Sequence, residues 1–221
     1  MRPVNATRPE PKMHHTETGD LTEVKRATTS IPILDILADR WSPRAWQDRP
    51  VEDEKLLRMF EAGRWAASSG NEQSWRFLLA RRHFDESWED ALACLVEGNR
   101  EWAHAAPVLV FTAAARETRR GRPYKHAWHD LGLAMGNLSA QATADGLHVH
   151  QMGGILPDEA RGRFSVPDDF DIVTAVTIGY LGDPASLSER RRESELAPRS
   201  RRPLQETLFT GAWNTESPIL K

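Results

Sequence analysis

The chain has 221 residues, 39% of them hydrophobic, with 29 basic and 32 acidic side chains and a formal charge of −3. That length carries one substantial core, and the near-neutral balance sets up no global field toward nucleic acid or an anionic membrane, so any anion site must be local. A single cysteine, Cys94, excludes an intramolecular disulfide and any multi-cysteine metal cradle.

The first twenty residues, "MRPVNATRPEPKMHHTETGD", are rich in Pro, Thr and charge and are expected to be disordered. Residues 1–30 are read as a flexible extension and 31–221 as a single domain. No run of about eighteen apolar residues marks a membrane span, and no apolar run near the start marks a signal peptide, so a cytoplasmic location is expected. "IPILDILADR" predicts a short helix that breaks near Ser42-Pro43, because a residue before proline avoids the α region. Arg40, Ser42 and Arg44 are thereby left at a helix end. Two guanidiniums and a hydroxyl at i, i+2, i+4 suit an oxyanion such as a phosphate monoester; a solvated helix terminus is the alternative.

"EDEKLLRMFEAGRWAAS" predicts a helix with Leu56, Leu57, Phe60, Gly63 and Ala67 on one face, ending at Ser68-Ser69-Gly70. The loop "AASSGNEQSW", residues 66–75, can offer hydroxyls, amides and backbone N–H groups to a polar heterocycle, or be a plain turn. "WRFLLA" reads as a strand, and "DESWEDALACLVEG" as one helix capped by Asp85, ended by Gly98 and enclosing Cys94. "APVLVFTAAA" is a buried strand. In "YKHAWHDLGLAMGNLSAQATADG" Leu131, Met135, Leu138 and Ala142 recur at helical spacing, while Gly132 and Gly136 bare the backbone one turn apart, as a central or subunit-contacting helix would. Tyr124 and Trp128 at its start are candidates to line a substrate pocket, against a reading as core or interface.

"LHVHQMGGI" predicts a strand running into a Met152-Gly153-Gly154 turn with unhindered N–H groups, "PDEARGRF" a short helix, and "FDIVTAVTIGYLG" a second buried strand. "APRSRRPL" sets Arg199 and Arg201 at another i, i+2 spacing. His126, His129 and Asp130, with His148 and His150, raise a metal site, but nothing in the sequence fixes the two pairs together and no metal is expected. "ERRRESELAPRSRRP" interleaves acids with its arginines and holds no aromatic, so it reads as a solvated loop without a nucleic-acid partner.

Taken in order, these patches resemble the FMN-dependent nitroreductases. The family's Arg-x-Ser-x-Arg/Lys pattern is matched by Arg40, Ser42 and Arg44, with Trp41 in the same cofactor segment. Its Pro-Ser-Ser/Ala-x-Asn-x-Gln-Pro-Trp motif is matched by Ser68, Ser69, Asn71, Gln73 and Trp75, with Ala67 and Ser74 in place of the prolines. Asn99 loosely matches an asparagine ahead of the second strand, "HQMGGI" the glycine turn, and Arg199 and Arg201 the C-terminal Lys/Arg-x-Arg. The resemblance covers about residues 31–210.

It implies an α+β fold, with a central, mostly antiparallel sheet flanked by helices, as an intertwined homodimer with two FMN sites at its interface. In such a site Arg40, Arg199, Arg201 and Ser42 hold the FMN phosphate. Arg44 tunes the flavin near its N1/C2=O edge, where a cation stabilises the reduced, anionic state. The Met152-Gly153-Gly154 turn faces N5, Asn99 bonds the pyrimidine edge, and Ser68, Ser69 and Asn71 reach the partner's flavin. No side chain acts as nucleophile or acid/base: NADH or NADPH delivers hydride to N5, and a small acceptor such as a nitroaromatic or quinone takes the electrons. The alternative is an FMN protein of the same fold that stores or senses flavin, fragments it, or dehalogenates. The apolar C-terminal "LFTGAWNTESPIL", with Leu208, Phe209, Trp213, Ile219 and Leu220, is expected to cross onto the partner.

Overall fold

The computed structural model describes residues 21–220, so the disorder expected for residues 1–20 lies outside the described residues. Four strands, β1 (Trp75–Arg81), β2 (Val108–Ala115), β3 (His148–Met152) and β4 (Phe170–Gly179), form one sheet in the order β1-β2-β4-β3. Every pairing in it is antiparallel. Helices α1 (Leu21–Lys25), α2 (Asp35–Asp39), α3 (Asp53–Arg64), α4 (Trp88–Ala93), α5 (Glu97–Ala103), α6 (Ala127–Ala144), α7 (Pro157–Phe164) and α8 (Glu189–Leu196) surround it. The α+β fold with a central antiparallel sheet flanked by helices is thus the one the sequence implies.

The apolar runs of β2 and β4 follow from their central position, because each strand is covered on both faces. Along β2, Val108 and Val110 join the core under α3 and α6, while Leu109 and Phe111 join the core under α4, α5 and α7. This is the period of two that a strand imposes. The register slips between Thr112 and Ala113, and Thr112 is buried there with its Oγ1 2.8 Å from that of Thr174. The two hydroxyls thus satisfy each other beside a bulge.

Four local expectations are corrected. The helix expected over "DESWEDALACLVEG" is two helices: after α4 the Val96 N–H donates to Gly154 O (3.2 Å) and Leu95 bridges Ile155, which pulls the chain out of helical register. Gly98 accordingly lies inside α5. Asp85 does not cap α4, because its carboxylate folds back to the Arg81 N–H (2.9 Å) and guanidinium. On α3, Leu57 is exposed and Met59 is buried in its place.

Of the extension expected over residues 1–30, α1 is anchored to the domain, whereas Thr28–Ser30 are exposed. Leu21 and Lys25 are buried, and the Ala27 N–H donates to Ala38 O (2.9 Å). On α6 the predicted inward set is buried, whereas Gly132 and Gly136 face open space. The C-terminal segment folds on itself through a Phe209–Glu216 bridge and a Phe209–Trp213 ring contact at 5.2 Å, and it leaves Trp213 and Ile219 exposed.

Candidate functional site

In the sheet order β3 is an edge strand, and the segment after α2 runs beside it. Trp41 packs edge-on against His148 at 5.8 Å, and His150 Nδ1–H donates to Pro43 O at 2.8 Å. The other face of His150 meets Trp102 of α5 at 4.5 Å, and the Arg44 guanidinium lies 5.9 Å from the centre of that indole. Burial pushes His148 down to about 4, helped by Arg40. His150 is pushed to the same value by burial, with Arg44 and Arg40 adding to it and the Pro43 carbonyl opposing. Both rings are therefore neutral near pH 7.

At the His148 end lies a cleft of about 640 Å³ lined by Arg40, Arg199, Arg201 and Arg202 on one side and by Ile31 and Leu37 on the other. Arg199 donates to Ala38 O and Arg40 O, which fixes its guanidinium against the α2 terminus. Arg40 Nη1 lies 3.5 Å from Ser42 Oγ. Burial and the charge of Arg201 lower the pKa of Arg40, and burial followed by Arg40 and Arg201 does the same to Arg199. The carboxylate that Arg199 feels, Asp39, is already held by Arg26. Among the described residues no ion pair neutralises Arg40, Arg199 or Arg201, and the buried Arg199 Nε is without a partner. Three facing cations with spare donors fit a phosphate-bearing group.

At the other end of β3, Met152 is buried and hands over to the glycine turn. Asn99 Nδ2 donates to Gly154 O at 3.0 Å. A Cβ on Gly154 would stand 2.5 Å from Asn99 Nδ2 and 2.8 Å from Val96 Cγ2, so this position accepts only glycine without displacing its neighbours. Asn99, on α5, and the glycine turn are therefore brought together.

Arg44, expected at the flavin edge and not at the phosphate, lies outside the cleft of Arg40, with its Nη1 3.8 Å from Oε2 of the buried Glu195. Trp41 differs from its expected place in the cofactor segment, because its side chain turns into the interior.

The Ser68–Gln73 loop lies at the opposite corner of the sheet, before β1, roughly 14 Å across at three strand spacings. Gly70, Asn71 and Gln73 adopt positive φ, and the loop is tied down from outside. The Ser69 N–H donates to both oxygens of buried Asp130 (3.3 and 3.2 Å), and the Tyr124 hydroxyl donates to Asp130 and to Ser69 O. Ser68 Oγ accepts from the Gln73 N–H at 3.1 Å, and Asn71 Oδ1 from Gln73 Nε2 at 3.0 Å. Tyr124 is thus a half-buried latch and not a free pocket wall; burial and Asp130 push its phenol up to about 12. Trp128 is exposed, with Nε1 donating to Asp171 at 3.2 Å. Ser74, one of the two proline replacements, is buried with its hydroxyl donating to Ala127 O at 3.3 Å. Within one chain the arginine and serine patches do not meet.

Glu195, Lys25, Asp130 and Trp102 were not among the expected site residues. Asp130 carries a detectable signal, a carboxylate at a buried position of the apolar-patterned α6, whereas the run of α5 around Trp102 is mostly polar. Glu195 sits in a run that reads as solvent-facing.

A single antiparallel sheet flanked by helices, with an uncompensated cation cluster at its edge strand, is an α+β architecture whose open donors suit a phosphate-bearing small molecule. The chain belongs to the nitroreductase family, whose model matches residues 37–180. An uncharacterized 15.4 kDa protein from Mycolicibacterium smegmatis is 34% identical over 145 residues, 62% of this chain and 97% of that one. A provisionally named NADH dehydrogenase/NAD(P)H nitroreductase from Archaeoglobus fulgidus is 24% identical over 161 residues, 71% of this chain and 89% of its own.

Among solved structures, an oxidoreductase containing FMN is 35% identical with a TM-score of 0.81, over 86% of this chain and 96% of the other. A Desulfovibrio desulfuricans protein crystallised in complex with FMN is 25% identical with a TM-score of 0.64, over 84% and 99%. Among the described residues no helix is long and apolar enough to cross a membrane.

Proposed function

We propose that this chain is an FMN-dependent oxidoreductase that accepts hydride from NADH or NADPH, passes the electrons to a small acceptor such as a nitroaromatic or quinone, and works as a homodimer in the cytoplasm. The observation that carries the reading is the meeting of Arg40, Arg199 and Arg201 in one cleft without a counter-ion, with Ser42 beside Arg40, at one end of an edge strand whose other end presents Asn99 and the Gly153-Gly154 turn. Two structural relatives hold FMN, which matches the phosphate-type donor set.

When bound, FMN supplies two-electron chemistry at N5. The protein binds and orients. Arg40, Arg199, Arg201 and Ser42 hold the phosphate. Met152, Gly153 and Gly154 present main chain to the ring, and Asn99, itself held by Gly154 O, fixes the pyrimidine edge. Ser68, Ser69 and Asn71 stand across the sheet from this patch, so the reading assigns them to the partner's site. The open face of α6 at Gly132, Leu133 and Gly136 offers a surface for that second copy. Trp128, exposed at the start of α6, remains the candidate to border the acceptor.

The test is the anaerobic visible spectrum of the purified full chain before and after NADH or NADPH. FMN bands that bleach and return on adding a quinone or nitroaromatic support the reading. Bound FMN that neither nicotinamide bleaches moves the function to storage, sensing or another flavin chemistry, and failure to take up any flavin on reconstitution refutes the cofactor assignment.

A further inference from the structure

Two segments outside residues 37–180, the span that matches the family model, lock onto each other beside the arginine cluster. The first is α1. Lys25 is only 5% exposed, and its Nζ donates to Ser194 O (3.1 Å) and Ala197 O (2.6 Å), the open carbonyls at the end of α8, while standing 4.9 Å above the Trp41 ring. The second is α8. Glu195, 1% exposed, accepts through Oε1 from the backbone N–H groups of Arg44 (2.6 Å) and Ala45 (3.1 Å). Its Oε2 has no hydrogen bond and faces Arg44 Nη1 at 3.8 Å.

A buried carboxylate is costly unless its charge is balanced, and the groups around this one are cations: Lys25, Arg44 and, within electrostatic reach of Lys25, Arg199. The chain leaves α8 at Ala197 and reaches Arg199 two residues later, and Arg199 then closes onto Ala38 O and Arg40 O. Residues 21–27, 38–45 and 194–199 therefore form one knot, with Glu195 and Lys25 at its centre.

We propose that Glu195 and Lys25 are positioning residues of the cofactor site: Glu195 holds the Arg44–Ala45 backbone and offsets the Arg44 charge, and Lys25 fixes the end of α8 so that Arg199 faces the phosphate. The inference rests on the FMN reading above. It divides the latch into two functions that can be read separately. The carboxylate sets how much positive charge the isoalloxazine feels, and the ammonium sets how well the phosphate is gripped.

Glu195→Gln keeps an acceptor for both N–H groups and removes the charge; Glu195→Ala removes both. With the full-length holoprotein, Glu195→Gln is expected to retain FMN and to shift the flavin midpoint potential in the positive direction, because the Arg44 cation is no longer offset. Glu195→Ala is expected to weaken FMN binding by about tenfold or more, and the Gln variant to stay within about threefold of the parent. Lys25→Met is expected to weaken FMN by a similar factor while leaving riboflavin affinity unchanged, since riboflavin lacks the phosphate. Equal potentials in parent and Glu195→Gln would overturn the electrostatic half, and equal losses of FMN and riboflavin in Lys25→Met would overturn the phosphate half. If the parent chain bound no FMN, the function proposed above would fail; a parent that binds FMN with variants that leave both readouts unmoved would refute the latch alone.

Discussion

At the edge of β3 the guanidiniums of Arg40, Arg199 and Arg201 face one another without a counter-ion, whereas ahead of β1 the Ser69 N–H, the Tyr124 hydroxyl and Asp130 satisfy each other in a closed set. The first arrangement is electrostatically incomplete in the isolated chain and gains from an incoming anion. The second is complete before anything binds and holds its loop with Gly70, Asn71 and Gln73 at positive φ, a conformation that costs Gln73 but not Gly70. The difference teaches that residues drawn from one family pattern do different work. One patch is left open to an anion; the other is satisfied within the chain before anything binds.

Substitutions should therefore separate binding from stability. The largest expected effect is on the open patch. Arg199→Ala combined with Arg201→Ala should lower FMN affinity at least about a hundredfold through the loss of charge-assisted bonds to the phosphate, giving largely colourless protein. Equilibrium dialysis with FMN and riboflavin checks it: riboflavin binding should stay as in the parent, and full FMN occupancy would break the assignment. In the closed patch, Asp130→Ala should instead cost about 3 kcal/mol of stability, because the Ser69 N–H and the Tyr124 hydroxyl lose a buried acceptor. Urea unfolding reads this directly, and a neutral outcome would show that the loop does not depend on its latch.

Gly154→Ala should cost about 1–3 kcal/mol, since the new methyl group meets Asn99 and Val96 and one of them must move. Thermal melts of Gly154→Ala and Gly153→Ala sharpen the point: only the first meets a neighbour, so only the first should fall by that amount. The smallest effect at neutral pH is that of the histidines. His148 and His150 are held neutral, with pKa values near 4 against an ordinary value of about 6.5. Their contribution to stability is present above pH 6.5 and is lost as the pH falls toward 4. Unfolding midpoints measured across that window should drop in the parent and drop less in His148→Gln combined with His150→Gln; parallel curves would show that other groups govern the acid limb.

Much of this was legible in the sequence, for identifiable reasons. The β2 and β4 runs and the inward face of α6 follow from patterning alone, because a strand covered on both faces and a helix over a core leave strong periodic signals. The arginine pairs were visible as spacing. The arrangement of Tyr124 was not, because its partner Ser69 lies 55 residues away in the chain. The break between α4 and α5 was hidden because "DALACLVEG" keeps helical periodicity, and a tertiary contact from Gly154 decides the matter. Glu195 was illegible for a similar reason: "ERRRESEL" reads as a solvated face, and its burial exists only once the Arg44 backbone arrives from the other end of the chain.

The central claim is that two copies of this chain complete two FMN sites, each joining the arginine patch of one protomer to the Ser68–Asn71 loop of the other. Native mass spectrometry of the purified full chain tests it most directly. Two chains carrying two FMN molecules are expected; a monomer that retains one FMN would contradict the shared site, and a dimer that takes up none on reconstitution would contradict the roles of Arg40, Arg199 and Arg201.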